Sequence, residues 1–156
     1  MAKKSDNEGV YKIVAACGGS IAGKNPAVLG LTFKPNTDDM REAPSLVIVP
    51  ALEAQGARLR AYDPQGMAEA RKLMPRLETA ADPYACIEAA DVMVILTEWD
   101  QFRALDLDRV KAGMRSPVVV DLRNIYEPAD MADKGFTYVS VGRGDHSVFA
   151  AENART

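Results

Sequence analysis

The chain has 156 residues, a net charge of −3 and an isoelectric point near 5.2, which suits one globular domain and argues against a broad nucleic-acid-binding surface. No apolar run approaches the roughly 20 residues that a membrane-spanning helix requires, and the polar N-terminus lacks the apolar core of a signal peptide. Cys17 and Cys86 lack metal-ligand spacing and the chain has one histidine. We therefore expect no metal site, two reduced thiols and a cytoplasmic protein.

The amino-terminal part of the chain is predicted to be a leader followed by the end of a helix. Residues 1–9 are polar and are expected to fray. Residues 11–17 have a helical pattern that stops at Gly18 and Gly19, a pair suited to a helix C-terminus. We assign residues 1–24 to a leader and the remnant of a preceding helix.

Residues 25–143 are predicted to form one folded domain in which strands and helices alternate. The predicted elements are a strand at 26–32, a helix at 43–55 with Pro50 inside it, a strand at 58–62, a helix at 67–73, a short strand at 77–79, a helix at 83–89 capped by Asp82, a strand at 92–96, a helix at 107–113, a strand at 118–120, a helix at 128–134 and a strand at 136–141. After Arg143 the apolar periodicity is lost, so residues 144–156 are expected to be a disordered tail.

The strands are predicted to form a parallel sheet that is buried on both faces. The runs at 92–96 and 118–120 are continuously apolar rather than alternating, as in sheets that are covered by helices on both sides. The alternation of strands and helices then predicts an α/β fold, a Rossmann-like three-layer sandwich.

Aromatic and charged side chains follow three of these strands. Phe33, Lys34 and Arg41 come after the first strand, Glu98 after the run at 92–96, and Arg123 after the run at 118–120. Ligands of such sheets bind outside the carboxyl ends of the strands, and Lys and Arg bind phosphates. The sequence therefore predicts an anion-binding crevice, most naturally for a nucleotide diphosphate.

Each of these side chains also has a purely structural interpretation. Lys34 fits a solvated turn, Arg41 fits an ion pair with Asp38 or Asp39, and Arg123 fits a structural arginine tied to Asp121. Trp99 is more typical of a packed aromatic residue than of a platform for a base. The combination on adjacent strand ends is what favours binding.

The sequence argues against a standard dinucleotide-binding loop. Gly30 is followed by Leu31, Thr32, Phe33 and Lys34, so the G-x-G-x-x-G fingerprint is absent. Asp63 ends the second strand, where a ribose-binding acid would stand. Without the glycines its expected role is in a turn.

The motifs resemble the C-terminal, UDP-binding domain of the UDP-glucose 6-dehydrogenases. The segment 29–45, Leu-Gly-Leu-Thr-Phe-Lys-Pro-Asn-Thr-Asp-Asp-Met-Arg-Glu-Ala-Pro-Ser, is long and specific. Tyr-Asp-Pro at 62–64, Thr-Glu-Trp at 97–99, Asp-Leu-Arg-Asn at 121–124 and Gly-Arg at 142–143 follow in the family's order. Leu122 stands where many relatives have glycine.

The resemblance implies a substrate-nucleotide domain of an enzyme that oxidises UDP-glucose twice to UDP-glucuronate, with two NAD as cofactor. It implies that Phe33 and Lys34 hold the uridine and ribose, that Arg123 reaches the substrate pyrophosphate, and that Arg41 approaches the NAD phosphates. Glu98 and Trp99 would support neighbouring residues without touching substrate. The parent enzyme would be a homodimer or a higher homo-oligomer.

The same resemblance implies that this chain alone is catalytically inactive. Neither Cys17 nor Cys86 matches the glycine-rich motif of the family's thiol nucleophile, and the NAD fingerprint is absent, so no catalytic residue is assigned. Three alternatives stay open: a sister enzyme acting on GDP-mannose or a UDP-N-acetyl-hexosamine, a stand-alone nucleotide-binding module, and a structural domain that has lost its ligand.

Overall fold

The computed structural model describes residues 3–142, which form a five-stranded parallel sheet with helices on both faces. The spatial order of the strands is β2-β1-β3-β4-β5. The strands are β1 (Pro26–Leu29), β2 (Arg60–Tyr62), β3 (Val92–Ile95), β4 (Val118–Asp121) and β5 (Thr137–Ser140). The helices are α1 (Lys4–Ala16), α2 (Ser45–Ala54), α3 (Met67–Leu73), α4 (Pro83–Ile87), α5 (Asp100–Arg103), α6 (Leu107–Gly113) and α7 (Pro128–Asp133).

The sheet divides the interior into two apolar cores, as the continuous apolar runs predicted. Alternate strand residues point to opposite faces: Val28 and Val94 belong to one core, whereas Leu29 and Ile95 belong to the other. All four are fully buried. The predicted three-layer, Rossmann-like α/β fold is therefore confirmed.

The register of the sheet brings the predicted site loops to one edge. Leu29, the last residue of β1, is paired with Tyr62 of β2 on one side and with Ile95 of β3 on the other. Ile95 is in turn paired with Asp121 of β4. The segments that follow these strands consequently leave the sheet at the same level, so their side chains can contact one another.

The amino-terminal helix is longer than the sequence pattern predicted. It begins at Lys4 instead of residue 11, so the expectation that residues 1–9 fray is wrong from Lys4 onward. Asp6 and Gly9 are buried, because α1 packs against α2 and the ends of β3 and β4. These tertiary contacts stabilise the first half of α1, and the local periodicity of the sequence gives no sign of them.

Two short elements also differ from prediction. The strand expected at 77–79 is only an isolated bridge between Thr79 and Ala61, and α5 was not predicted. The N-cap of α4 is confirmed, since the Asp82 side chain accepts a hydrogen bond from the Ala85 backbone N–H at 2.9 Å. Arg143 and the tail at 144–156 lie outside the described residues.

No helix within residues 3–142 is long and apolar enough to cross a membrane. The same part of the chain contains no group of three or more histidine, cysteine or acidic residues that could hold a metal ion.

Candidate functional site

The loop after β1 is held close to the loop after β3 by a glycine. Gly30 has a φ of +99°, and a Cβ built on it would lie 2.5 Å from the backbone nitrogen of Thr97. Only glycine combines this conformation with such a close approach. The Thr97 hydroxyl then donates to the backbone carbonyl of Thr32 at 2.8 Å, which joins the two loops.

Asp63 organises the three loops that follow β1, β2 and β3. Its fully buried carboxylate accepts from the backbone N–H of Leu31 at 2.7 Å, from that of Gly66 at 2.8 Å and from the indole of Trp99 at 3.2 Å. The expected turn role of Asp63 is thus only part of its function in the fold. Trp99 is 6% exposed, so its predicted packing role is confirmed.

Phe33 and Lys34 project from this frame toward solvent. Phe33 is 44% exposed, although its backbone N–H donates to the Asp39 carbonyl at 2.9 Å. Lys34 is exposed, and its ammonium has no ion-pair partner within 4 Å among residues 3–142. An exposed aromatic ring therefore stands next to a cation that no described carboxylate neutralises by direct contact.

Arg41 lies in the same loop but is paired. Its Nη2 and Nε donate to the two carboxylate oxygens of Asp39 at 2.9 and 3.1 Å, and 89% of its side chain is exposed. The hydrogen bonds and charge of Arg41 lower the pKa of Asp39 to about 2. The ion pair that the sequence left open is therefore present, and it involves Asp39.

Arg123 follows β4 and reaches the loop after β3. The buried Asp121 fixes its backbone, since the Arg123 N–H donates to Asp121 Oδ1 at 3.1 Å. The guanidinium does not pair with Asp121: its Nη2 donates to Glu98 Oε2 at 2.9 Å. The side chain remains 34% exposed.

The arginine side chains border different hollows. Arg123 lines a cavity of about 170 Å³ beneath α1. Arg41 lines an open groove of about 580 Å³ between its loop and α3. Neither lining includes Lys34, so the three cations share one edge of the sheet without sharing either hollow. The Arg123 cavity is lined by Ser5, Asp6, Glu8, Gly9, Pro44, Ile48, Leu96, Leu122, Arg123 and Val141.

Sequence reasoning missed two parts of this arrangement. The contact between Glu98 and Arg123 joins residues 25 positions apart, and the wall that α1 contributes belongs to a segment predicted to fray. The Thr-Glu-Trp motif at 97–99 could have indicated the contact between Glu98 and Arg123, because it places the acid between Thr97 and Trp99, whose side chains are both hydrogen-bonded.

These features define a class: a Rossmann-like α/β domain whose polar loops gather at the carboxyl edge of a parallel sheet, where nucleotides bind. The model of the "UDP-glucose/GDP-mannose dehydrogenase family, UDP binding domain" matches residues 27–128, more than half of the chain. The chain therefore belongs to the UDP-glucose/GDP-mannose dehydrogenase family and contains its UDP binding domain.

Curated relatives agree with this assignment. The chain is 56% identical over 134 residues to a UDP-glucose 6-dehydrogenase of Rhizobium meliloti strain 1021, covering 86% of this chain and 31% of that protein. It is 47% identical over 127 residues to a UDP-glucose 6-dehydrogenase of Pseudomonas aeruginosa, covering 78% of this chain and 28% of that protein. The chain thus spans about a third of the length of these relatives.

Solved structures show the same fold. An NDP-N-acetyl-D-galactosaminuronic acid dehydrogenase from Methanosarcina mazei Go1 superposes with a TM-score of 0.80 at 28% identity, over 91% of this chain and 30% of that one. A UDP-glucose dehydrogenase from Pyrobaculum islandicum superposes with a TM-score of 0.66 at 33% identity, over 75% of this chain and 26% of that one.

Proposed function

We propose that this domain binds the UDP moiety of UDP-glucose within an NAD-dependent UDP-glucose 6-dehydrogenase. The parent enzyme would oxidise the C6 alcohol of the sugar twice to give UDP-glucuronate. The proposal rests chiefly on one observation: the family match over residues 27–128 contains Phe33, Lys34, Arg41 and Arg123 together. The level of identity to the Rhizobium meliloti dehydrogenase supports the choice of UDP-glucose as substrate.

Phe33 and Lys34 would hold the uridine and ribose, and Arg123 the pyrophosphate. The exposed ring of Phe33 offers a face to a base. Lys34 has an ammonium free of described ion-pair partners, and Arg123 keeps most of its donors free for phosphate oxygens. Binding energy from this remote group would hold the sugar C6 in place for a reaction that occurs elsewhere.

Arg41 would face the NAD phosphates from this domain, while the remainder of the cofactor site lies in another part of the parent. Its 89% exposed side chain can reach outward, although Asp39 already occupies Nε and Nη2. The residue therefore fits a supplementary phosphate contact. NAD would supply the hydride acceptor when bound. We further propose a cytoplasmic parent that forms a homodimer or a higher homo-oligomer.

The chain alone is proposed to be catalytically inactive. Cys86 is buried, and that burial raises the pKa of its thiol to about 12. Cys17 is partly buried, and burial also raises the pKa of its thiol. Neither thiol has the properties of an activated nucleophile, which needs a lowered pKa.

Calorimetric titration of UDP and GDP into the chain tests nucleotide binding. We expect UDP to bind more tightly than GDP, and Lys34→Ala to weaken UDP binding by about tenfold, the loss of one charge-assisted contact. Lys24→Ala is the matched control, since Lys24 precedes the same strand β1 and lies at the opposite edge of the sheet. Equal effects of the two variants would contradict the assignment of Lys34.

In the full-length enzyme, Lys34→Ala is expected to lower kcat/KM for UDP-glucose, with Lys24→Ala unchanged. An unchanged kcat/KM for Lys34→Ala would refute the positioning role. A second candidate is a UDP-N-acetyl-hexosamine dehydrogenase, and the observation behind it is the superposition on the NDP-N-acetyl-D-galactosaminuronic acid dehydrogenase of Methanosarcina mazei Go1. Comparing turnover of UDP-glucose and UDP-N-acetyl-hexosamines by the full-length enzyme separates the two activities.

A further inference from the structure

Glu98 lies between the two loops that carry the proposed nucleotide-binding cations. The residue before it, Thr97, donates to the Thr32 carbonyl in the loop of Lys34. The Glu98 side chain itself accepts from Nη2 of Arg123 at 2.9 Å. Glu98 therefore connects the position of the Arg123 guanidinium to the loop after β1.

The backbone around Glu98 is fixed on both sides. Thr97 is fully buried with its hydroxyl bonded, and Trp99 is buried with its indole bonded to Asp63 at 3.2 Å. The Arg103 guanidinium also donates to the Glu98 carbonyl at 3.3 Å. An acid that is held in this way is a rigid support for a flexible arginine side chain.

The carboxylate is ionised in this position. Burial raises the pKa of Glu98, but the hydrogen bonds from Arg123 and from the Glu98 backbone N–H, together with the charges of Arg123 and Arg103, outweigh burial and leave the pKa below its usual value. Oε1 is buried and accepts no hydrogen bond from the described residues. Arg123 is therefore the main described side chain that satisfies the charge of Glu98.

Arg123 retains donors for a ligand after this contact. A guanidinium has five N–H donors, and the structure places only Nη2 on a described side chain. We infer that Glu98 is a positioning residue: it orients the Arg123 guanidinium toward the diphosphate of the nucleotide without touching the nucleotide itself. This inference rests on the proposed function of the domain.

Two effects of removing Glu98 oppose each other. Loss of its negative charge makes the carboxyl edge of the sheet more attractive to an anion, but salt ions in the solvent screen this gain in attraction. Loss of the contact frees a long side chain whose rotamers must be ordered again on binding. We expect the second effect to dominate, so Glu98→Ala weakens UDP binding by about threefold to tenfold.

The first test is calorimetric titration of UDP into the full chain and its variants. Glu98→Gln keeps an acceptor of the same shape and is expected to stay within about twofold of wild type. Glu53→Ala is the control for loss of one exposed acid, because Glu53 lies in α2 with an exposed side chain. In an Arg123→Ala background, Glu98→Ala is expected to cause no further loss of UDP affinity.

A penalty that persists without Arg123, or UDP binding by Glu98→Ala that equals or exceeds wild type, would overturn the inference while leaving the proposed function intact. A wild-type chain that fails to bind UDP would instead contradict the proposed function.

The second test needs no nucleotide. NMR of the Arg123 guanidinium is expected to show slow rotation about Nε–Cζ in wild type and in Glu98→Gln, and fast rotation in Glu98→Ala. Fast rotation already in wild type would overturn the positioning role, whatever the outcome of the titrations.

Discussion

Replacing Asp63 by asparagine removes the connection between three loops at the site edge. Five N–H groups donate to its carboxylate within 3.2 Å: three to Oδ2, from Leu31, Thr32 and the Trp99 indole, and two to Oδ1, from Gln65 and Gly66. Asparagine keeps one oxygen and replaces the other by an NH₂ group, which is itself a donor. In either orientation, donors then face donors in a buried place.

The magnitude follows from the less damaging orientation. With the amide nitrogen in the place of Oδ1, the N–H groups of Gln65 and Gly66 lose their acceptor. A buried donor left unsatisfied costs about 1–3 kcal/mol, and Gly66 is buried whereas Gln65 is exposed. We therefore expect Asp63→Asn to lower the free energy of unfolding by about 3 kcal/mol. For a chain of this size, that corresponds to a fall in Tm of about 6–12 °C.

Urea denaturation followed by tryptophan fluorescence is a suitable assay, because Trp99 is the single tryptophan and its indole contacts Asp63. Asp82→Asn is the control: Asp82 is exposed, caps α4 through one hydrogen bond, and asparagine caps equally well. We expect this control to change the free energy of unfolding by less than about 0.5 kcal/mol. Equal unfolding free energies for the two variants would refute the organising role of Asp63.

Three further predictions concern single sites. Gly30→Ala should destabilise the chain by about 2 kcal/mol more than Gly18→Ala, since both glycines have positive φ but only Gly30 would bring its Cβ into contact with other atoms; urea denaturation measures the difference, and equal values would contradict the close approach. The ion pair of Asp39 with Arg41 should contribute to stability above the ordinary carboxyl pKa near 3.8 and lose that contribution as pH falls through about 2; carboxyl NMR titration should show the pKa of Asp39 returning toward 3.8 in Arg41→Ala, and an unchanged pKa would refute the pairing. The Cys86 thiol should resist iodoacetamide at pH 8 in the folded chain and react in urea, because burial raises its pKa to about 12; rapid alkylation of the folded chain, measured by mass spectrometry, would contradict that burial.

The central elements of the fold were predictable because their signals are local. The run at 92–96 is apolar without interruption, and β3 occupies Val92–Ile95 with all four residues buried. The helices α3 and α6 have the predicted bounds, 67–73 and 107–113. Where packing between distant segments decides, as in the first half of α1, local pattern underestimated the structure.

The candidate site, like the fold, was predictable only in part. The chain order of the polar loops predicted which residues reach the carboxyl edge of the sheet, since a parallel sheet places consecutive strand ends together. It did not predict their partners. Arg41 had two candidate acids, Asp38 and Asp39, and only three-dimensional geometry decides between them.

For anion binding, the ion-pair partners of the three cations matter more than their positions in the chain. All three cations carry the same charge, but they differ in how free they are to bind an anion. The lysine has no described ion-pair partner, whereas one arginine is held by Glu98 and the other by Asp39. Lys34 is available as it stands, Arg123 is oriented with donors to spare, and Arg41 already engages a carboxylate through two nitrogens. Under the proposed function, the three cations are therefore expected to differ in how much each contributes to nucleotide affinity, with Lys34 and Arg123 ahead of Arg41. The place of Arg123 in that order depends on its contact with Glu98, which lies 25 positions away in the chain, and no local sequence pattern encodes such a contact.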